Sequence, residues 1–446
     1  MPHDMLDTAL ARHSAKVRRI AAQLSAHRGP RPVSLRKKAV SHVVPKATDL
    51  KYSDETINIS DLNEIIHIDP SGRTCVAECG VTFVDLVAET MKHGLVPIVV
   101  PELKTITIGG AVAGCSIESM SYVHGGFHDT CLEYEVITAR GDIVTCTPTG
   151  DSLLFQMMHG TFGTLGVLSL LKFKLVPAKP FVRLNYEKYG SLAEYKAAIW
   201  GHYTRQDIDF MDGIIHSPHE YVLSTGMFVD EAPYTNRYDW MKVYYRSTHE
   251  REEDFLETPQ YFFRYDRGVT NTYPKSALGR LVFGPVMGSS NVLSIVRRYH
   301  WMFLSEEHPM VTLDVFIPFS RVEEFLEWYG REFKYFPLWC VPYKLVHPYE
   351  WVADGYFNRN PDQLYLDLAI YGMQQTDGRN YYRIMEEKLM ELGALKTLIS
   401  YNYYSEEEFW STWNRPNYEK VKAITDPNNI FRDLYTKTCR ASRGLR

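Results

Sequence analysis

The chain has 446 residues, enough for two or three packed domains, with 45% hydrophobic and 23% charged residues. A net charge of −5 excludes a general electrostatic attraction to nucleic acid. Seven scattered cysteines, with no Cys-x-x-Cys pair, exclude a disulfide framework and a zinc ribbon and lead us to expect reduced thiols in a cytoplasmic protein.

The N-terminal "MPHDMLDTALARHSAKVRRIAAQL" carries acids early and lacks a long apolar core, so it predicts an amphipathic helix, not a secretory signal. No run reaches the roughly 18 apolar residues of a membrane span, which leads us to expect a soluble protein, at most attached to a membrane surface. From Val33 to Pro180 short β-like runs alternate with turn signals. "INISDLNEIIHIDPSGRTCVAECGVTF" reads strand, Asp-Pro-Ser-Gly turn, strand, with Cys75 and Cys79 at strand positions. A helix follows in "TFVDLVAETMKHGL", its apolar positions Val84, Leu86, Val87 and Met91, with Gly94 as a left-handed C-cap. "CLEYEVITARGDIVTCTPTG" is again strand, Arg-Gly-Asp turn, strand. The layout is α+β, with hairpins in place of regular βαβ units.

A second domain is expected from about Lys179. "PMVTLDVFIPFSRVEEFLEWYGREFKYFPLWCVPY" reads strand, helix, strand, with Ser320 and Glu323 as a capping box. Val322, Phe325, Leu326, Tyr329 and Phe333 follow helical spacing, and "DQLYLDLAIYG" is a further strand. This half predicts a sheet with helices on one side. Tyr234 to Met287, rich in Tyr, Arg and Gly with weak periodicity, predicts a covering segment.

Two glycine clusters carry the functional signal. "TITIGGAVAGCSIESMSYVHGGFHD" holds five glycines and no lysine or arginine, and "MMHGTFGTLGVLSLLKFKLVPA" spaces Gly160, Gly163 and Gly166 three apart before an apolar strand. Gly109, Gly110 and Gly114 do not match the Gly-x-Gly-x-x-Gly dinucleotide fingerprint, and no Gly-Lys-Ser/Thr follows them. What is left is a pair of loops whose bare amides face a large anionic or planar ligand, against tight-turn glycines as the plainer alternative. No metal-binding pattern occurs, and "HEREED" (249–254) reads as a solvated helix face.

"LVPIVVPELKTITIGGAVAGCSIES", "YEVITARGDIVTCTP" and "GTFGTLGVLSLLKFKLVPAKPFVRL", with "FPLWCVP", "LYLDLAIYG" and "YYSEEEFW" further on, resemble the FAD-binding flavoproteins of the vanillyl-alcohol-oxidase (PCMH) type. Within that group the resemblance is to the sterol side-chain Δ24-reductases and their bacterial relatives acting on methylene-branched fatty acyl chains. It implies a two-part PCMH-type FAD-binding domain over 1–178, an α+β substrate (cap) domain over 179–425, and a C-terminal segment, 426–446, returning to the FAD domain through "DPNNIF". It implies noncovalent FAD on Thr107, Ile108, Gly109, Gly110, Ala111, Gly114, Cys115, Ser116, Ile117 and Ser119, and on Gly160, Gly163 and Gly166. "VSLRKKAVSHVVP" stands where relatives have a glycine-rich pyrophosphate loop; it offers Arg36, Lys37 and Lys38 instead, and its His42 lies where some relatives link flavin covalently.

The implied reaction is reduction of an isolated carbon–carbon double bond in a lipid, with NADPH as external reductant. An electron-rich alkene accepts hydride only as it is protonated, so a dry pocket needs a proton donor. Tyr401 and Tyr403 are the first candidates and Glu118 the next, followed by His124, His128, Lys344 and His347. The alternatives are an alcohol or polyol oxidase or dehydrogenase of the same fold, and a non-catalytic lipid- or flavin-binding protein. Aromatic and basic residues between Tyr234 and Arg298 are candidates for docking on lipid head groups.

Overall fold

The computed structural model describes residues 3–39, 41–46, 49–238, 242–266, 268, 309–353 and 363–443. Of the expected covering segment and head-group patch, residues 234–238, 242–266 and 268 are described, and they form no surface patch: helix Tyr244–Glu250, strand Glu253–Glu257 and helix Thr258–Phe262 with the residues just after it bury Tyr244, Tyr261, Arg264 and Tyr265 in the core. The rest lies outside the described residues.

The fold is α+β and its strands form three sheets. β1 (Val33–Arg36) and β2 (Glu55–Asn58) pair in parallel. A second, antiparallel sheet uses β3 (Ile65–Asp69), β4 (Thr74–Glu78), β5 (Leu95–Pro97), β6 (Cys131–Ile137), β7 (Ile143–Cys146) and β8 (Val167–Pro177). Its order is β3-β4-β8-β6-β7, with β5 on the end of β8. The third is an eight-stranded antiparallel sheet in the order β12-β9-β11-β10-β14-β15-β13-β16. Its strands are β9 (Phe181–Tyr189), β10 (Phe210–Ser217), β11 (Glu220–Val229), β12 (Glu253–Glu257), β13 (Val311–Pro318), β14 (Leu338–Lys344), β15 (Leu364–Met373) and β16 (Leu395–Lys396).

Local chemistry explains the joints. At the β3–β4 turn the Asp69 carboxylate accepts the Ser71 and Gly72 amides, both at 3.0 Å, as an Asp-Pro-Ser-Gly turn requires. Leu86 and Val87 bury the inner face of helix Phe83–Thr90, and Gly94 closes the next turn at φ 64°. The N-terminal helix, His3–Ala26, buries Val17, Ile20 and Leu24 on one side.

Side-chain alternation gives the eight-stranded sheet two different faces. Leu313, Val315, Leu366, Leu368, Leu338 and Cys340 point to one face and form a core with helices Leu192–Arg205, Val322–Glu332 and Tyr381–Leu392. The intervening residues turn toward the first half of the chain, where Trp339, Val341 and Ala369 join the core of the second sheet. The helices on one side are as expected, but the Ser320–Glu323 capping box is not formed. Phe319–Arg321 is a separate 3₁₀ turn, so the helix starts one residue later, on Arg321, with no side-chain cap. A complete box occurs at Ser405, which accepts the Glu408 amide while Glu408 accepts the Ser405 amide. "HEREED" is no helix face either: it runs from the end of helix Tyr244–Glu250 into β12, where Asp254 is buried and accepts from Asn236 and Tyr238.

After β16 the chain returns. Phe409, Tyr418 and Val421, on helices Glu406–Thr412 and Arg415–Thr425, already lie in the core of the second sheet, before Asp426 is reached. Asp426 then fastens the turn: its carboxylate accepts the Ile430 and Phe431 amides at 2.9 Å and the Lys422 ammonium at 2.6 Å. Ile430 in turn accepts the Val33 amide at 2.7 Å, tying the C-terminal segment to β1.

Candidate functional site

A cavity of about 1160 Å³ lies where the loops of the first half meet the inner face of the eight-stranded sheet. One wall is built from β1 and the loop after it, the glycine stretches near 110 and 163, and the C-terminal return. The basic side chains Arg36, Lys37, Lys46, Lys51, Arg432 and Lys437 are all on this wall. The opposite wall carries Thr312, Asp314 and Phe316 of β13, Asp367 and Tyr371 of β15, and Trp339 of β14, with Leu398, Ile399 and Tyr401 beyond β16. A pocket that holds a drug-sized ligand measures about 300–1,000 Å³, so this space is large enough for a dinucleotide.

The two glycine clusters meet as anticipated. The Gly160 amide donates to Val112 and the Phe162 amide to Ala113, which zips the second cluster onto helix Ile108–Ala113. The amides of the first cluster are not bare, however. Ile108 and Gly109 donate to Val81 and Cys79, Gly110 to the Thr107 hydroxyl, and Ala111, Gly114, Cys115 and Ser116 to carbonyls within the stretch. Those donors are used up by the fold, so offsetting an anionic ligand falls to side chains. Gly109 is glycine because a Cβ there would lie 2.7 Å from Cys79 Cβ, and one at Gly166 would lie 2.9 Å from Val136 Cγ1. A Cβ on Gly110 would stand 3.6 Å from the Lys37 ammonium, which therefore hangs over this backbone. Gly163, at φ 70° with only distant neighbours, is where the backbone conformation itself asks for glycine.

The FAD binding domain family matches residues 8–147. Over 421 residues the chain is 27% identical to the Delta(24)-sterol reductase of Homo sapiens, covering 88% of this chain and 80% of that protein. It is 24% identical to the Delta(24)-sterol reductase of Arabidopsis thaliana, over 86% of this chain and 76% of that one. A shorter stretch of 152 residues, 33% of this chain and 27% of the other, is 31% identical to cytokinin dehydrogenase 9 of Oryza sativa subsp. japonica. This chain is an FAD-dependent oxidoreductase with a PCMH-type FAD-binding domain.

Among the expected FAD contacts of this oxidoreductase, Arg36, Lys37, Thr107, Gly109, Gly110, Gly114, Cys115, Ser116, Ile117, Gly163 and Gly166 line the cavity. Ile108, Ala111, Ser119 and Gly160 do not. Ile108 and Ala111 are the buried side of the short helix, Gly160 packs on Cys115 and Trp351, and Ser119 is bonded to Tyr261 and Met211. His42 is on the wall, 3.2 Å from the Thr105 hydroxyl; burial and then the nearby Lys37 push its pKa down to about 4, so the ring is neutral. Burial likewise pushes the Lys46 ammonium down to about 8.

Of the three expected proton donors only Tyr401 reaches the cavity. Tyr403 lies beside it, its ring stacked at 6.5 Å and its amide held by Glu386. Glu118 faces away: Ser119 donates to one carboxylate oxygen and Arg264 pairs with the other at 3.0 Å. Burial raises its pKa and the guanidinium opposes this. Arg264 also pairs with Asp212 at 3.0 Å, and Asp212 accepts from Tyr265 and from the Trp339 indole, so this group fastens the flavin-side loop to the eight-stranded sheet. His128 is buried against Tyr349, His347 pairs with Asp129, and neither they nor His124 and Lys344 line the cavity.

Besides Asp49 and Asp54, which pair with Lys51 and Arg432 on the basic wall, the acids that face the cavity are Glu102, Asp314 and Asp367, none of which the sequence reading singled out. Glu102 opens onto the space and is half-buried, yet it sits deep enough that burial pushes its pKa up to about 8. Burial pushes Asp314 up to about 6, and burial with Asp314 and Glu102 nearby raises Asp367 well above the usual carboxylate range. The available signal was an aspartate at an otherwise apolar strand position, in "TLDVFIP" and in "YLDLAIYG".

Proposed function

We propose that this protein reduces an isolated carbon–carbon double bond in a lipid, using FAD in the cavity and NADPH as external electron donor. The observation that carries the reading is the division of one large cavity into a basic, glycine-lined wall and a wall of aromatic, apolar and acidic residues. Similarity to Delta(24)-sterol reductases over most of the chain supports the same reading. In this account residues 1–178 hold FAD and the eight-stranded sheet within 179–425 shapes the substrate side, while the return that 426–446 completes begins earlier, with helices Glu406–Thr412 and Arg415–Thr425.

The residues present fit the cofactor. Arg36 and Lys37, with Lys46 and Lys437 beside them, would offset the pyrophosphate, while Gly110, Gly114 and Gly163 admit a ring system close to the main chain. When bound, FAD supplies hydride and accepts it back from the nicotinamide. Met310, Phe316, Leu398 and Ile399 give an aliphatic chain its apolar contacts, and Tyr401 and Trp339 add aromatic walls. The substrate is a methylene-branched acyl chain or a sterol side chain, whose branched carbon tolerates developing positive charge. Among the described residues no helix is long and apolar enough to cross a membrane, and we place the protein in the cytoplasm or on a membrane surface.

The test is product analysis. Purified FAD-loaded protein with NADPH should convert a methylene-branched lipid or a sterol with an unsaturated side chain to a product two hydrogens heavier. NADPH-independent oxidation of an alcohol or polyol, with oxygen as acceptor, would replace this reading by that of an oxidase.

A further inference from the structure

Resting on the lipid-alkene reading above, the inner face of the eight-stranded sheet identifies the source of the proton. β13 and β15 are interior strands, and each places an aspartate on the cavity face. Asp314 stands opposite Ala369 on β15, so Asp367 and Tyr371 are its two diagonal neighbours, a separation that side chains can reach across. The Tyr371 hydroxyl donates to one Asp314 oxygen and the Thr397 hydroxyl, at 3.3 Å, to the other. Such donors favour an ionised carboxylate. Asp367 has the opposite surroundings. It stands across from Phe316 on one side and Val341 on the other, is 3% exposed, and its Oδ1 has no hydrogen-bond partner among the described residues. Glu102 faces the same space from the loop after β5. None of the three acids has an ion-pair partner among the described residues. Three such carboxyls cannot all be charged in one dry wall, so the charge settles where the hydroxyl donors are and the proton where they are not.

We infer that Asp367 is kept as a neutral carboxylic acid by its apolar neighbours and by Asp314, and that it donates the proton that completes reduction of the alkene. One alkene carbon receives hydride, with two electrons, from the cofactor. The O–H bond of Asp367 breaks and its proton forms the C–H bond at the other carbon, so the π bond is replaced by two C–H bonds and a carboxylate is left behind. Asp367 regains its proton from Glu102 and ultimately from water, and reduced nicotinamide restores the electrons. Asp314, held by Tyr371 and Thr397, is a positioning residue whose fixed charge keeps its neighbour protonated. The raised carboxyl pKa gives a pH sign: the alkene step is fast at low pH and slows as pH rises through it.

The experiment uses FAD-loaded wild type, Asp367→Asn and Asp314→Asn, with Tyr401→Phe alongside, in two anaerobic half-reactions and by infrared spectroscopy. Flavin bleaching by NADPH, a step that takes no proton from Asp367, should still occur in Asp367→Asn, and the flavin spectrum shows that the variant is folded and loaded. Return of the flavin colour on adding a methylene-branched lipid should slow by about 10²–10⁴-fold. Independently of turnover, the carbonyl stretch of the buried Asp367 carboxyl, identified by its shift in D₂O, should be present in wild type, should vanish at a lower pH in Asp314→Asn, and should be lost in Asp367→Asn, leaving only the component that Glu102 contributes. Equal alkene rates in wild type and Asp367→Asn, a selective loss in Tyr401→Phe instead, or an infrared band untouched by Asp367→Asn would overturn this role alone. Wild-type protein that no alkene reoxidises would overturn the proposed function and this role together.

Discussion

Two groups of acids stand where the first half of the chain meets the eight-stranded sheet, and they are treated oppositely. Glu118 and Asp212 share the fully buried Arg264, whose guanidinium also lies 4.1 Å from the Tyr261 ring centroid and 4.8 Å from that of Tyr265. Neither the two acids nor the guanidinium lines the cavity. Glu102, Asp314 and Asp367 have hydroxyls, apolar side chains and the cavity around them, and no ion-pair partner among the described residues. A buried acid with a matching cation joins two parts of a fold; where several acids share a wall without one, the acid that no hydroxyl serves holds a proton that can be given away. Glu118, the more conspicuous acid in sequence because it follows the flavin-side loop, belongs to the first kind.

The comparison breaks most readily at Arg264. Arg264→Met leaves two buried acids without their cation and should cost about 3–5 kcal/mol in urea unfolding; a loss below about 1 kcal/mol would mean that the pair fastens nothing. A third acid group sharpens the point because its cation titrates. His13 bridges Glu78 at 2.8 Å and Glu135 at 2.9 Å, with Lys16 3.0 Å from Glu78. Burial opposes charge on the ring, but the hydrogen bonds to Glu135 and Glu78 outweigh it and lift the pKa to about 9. The folded value lies above the unfolded one, so this stabilisation is complete below about pH 6.5 and is lost as pH rises through about 9. The free energy of unfolding should fall over that window by up to about 3 kcal/mol, and the fall should be absent in His13→Leu.

Smaller effects concern the cavity. An anion bound near Lys46 favours its charged form, so FAD affinity should hold below about pH 8 and weaken above it, by at most about tenfold per pH unit. Fluorescence titration checks this, and Lys46→Met should bind more weakly and without that dependence. Asp314→Asn removes one of the crowded acids, so its stability should stay within about 1 kcal/mol of wild type, on either side, while the alkene step suffers. A destabilisation as large as that of Arg264→Met would place Asp314 among the fastenings.

Much of the framework was legible because it is written locally. The Asp69 turn, the Gly94 cap, the strands around 311–318 and 364–373 and the helix after Phe319 all follow from period and turn chemistry over a few residues. The meeting of the glycine clusters was also legible, as was the basic loop at Arg36 and Lys37. The state of the glycine-loop amides was not, since their partners include Val81 and Cys79, more than twenty residues earlier. The acid wall stayed hidden for a stronger reason. Asp314 and Asp367 look like isolated interruptions of apolar strands until the β13–β15 register sets them diagonally across one face. Ser320 shows the converse, a sound local signal displaced by a single 3₁₀ turn.

The central claim is that this cavity passes electrons from NADPH through FAD to a lipid alkene, and an anaerobic spectrum tests it most directly. The account predicts a yellow protein that bleaches with NADPH and turns yellow again when a lipid with a branched carbon–carbon double bond is added without oxygen. A preparation that binds no FAD, or whose bleached flavin answers only to oxygen, would contradict it.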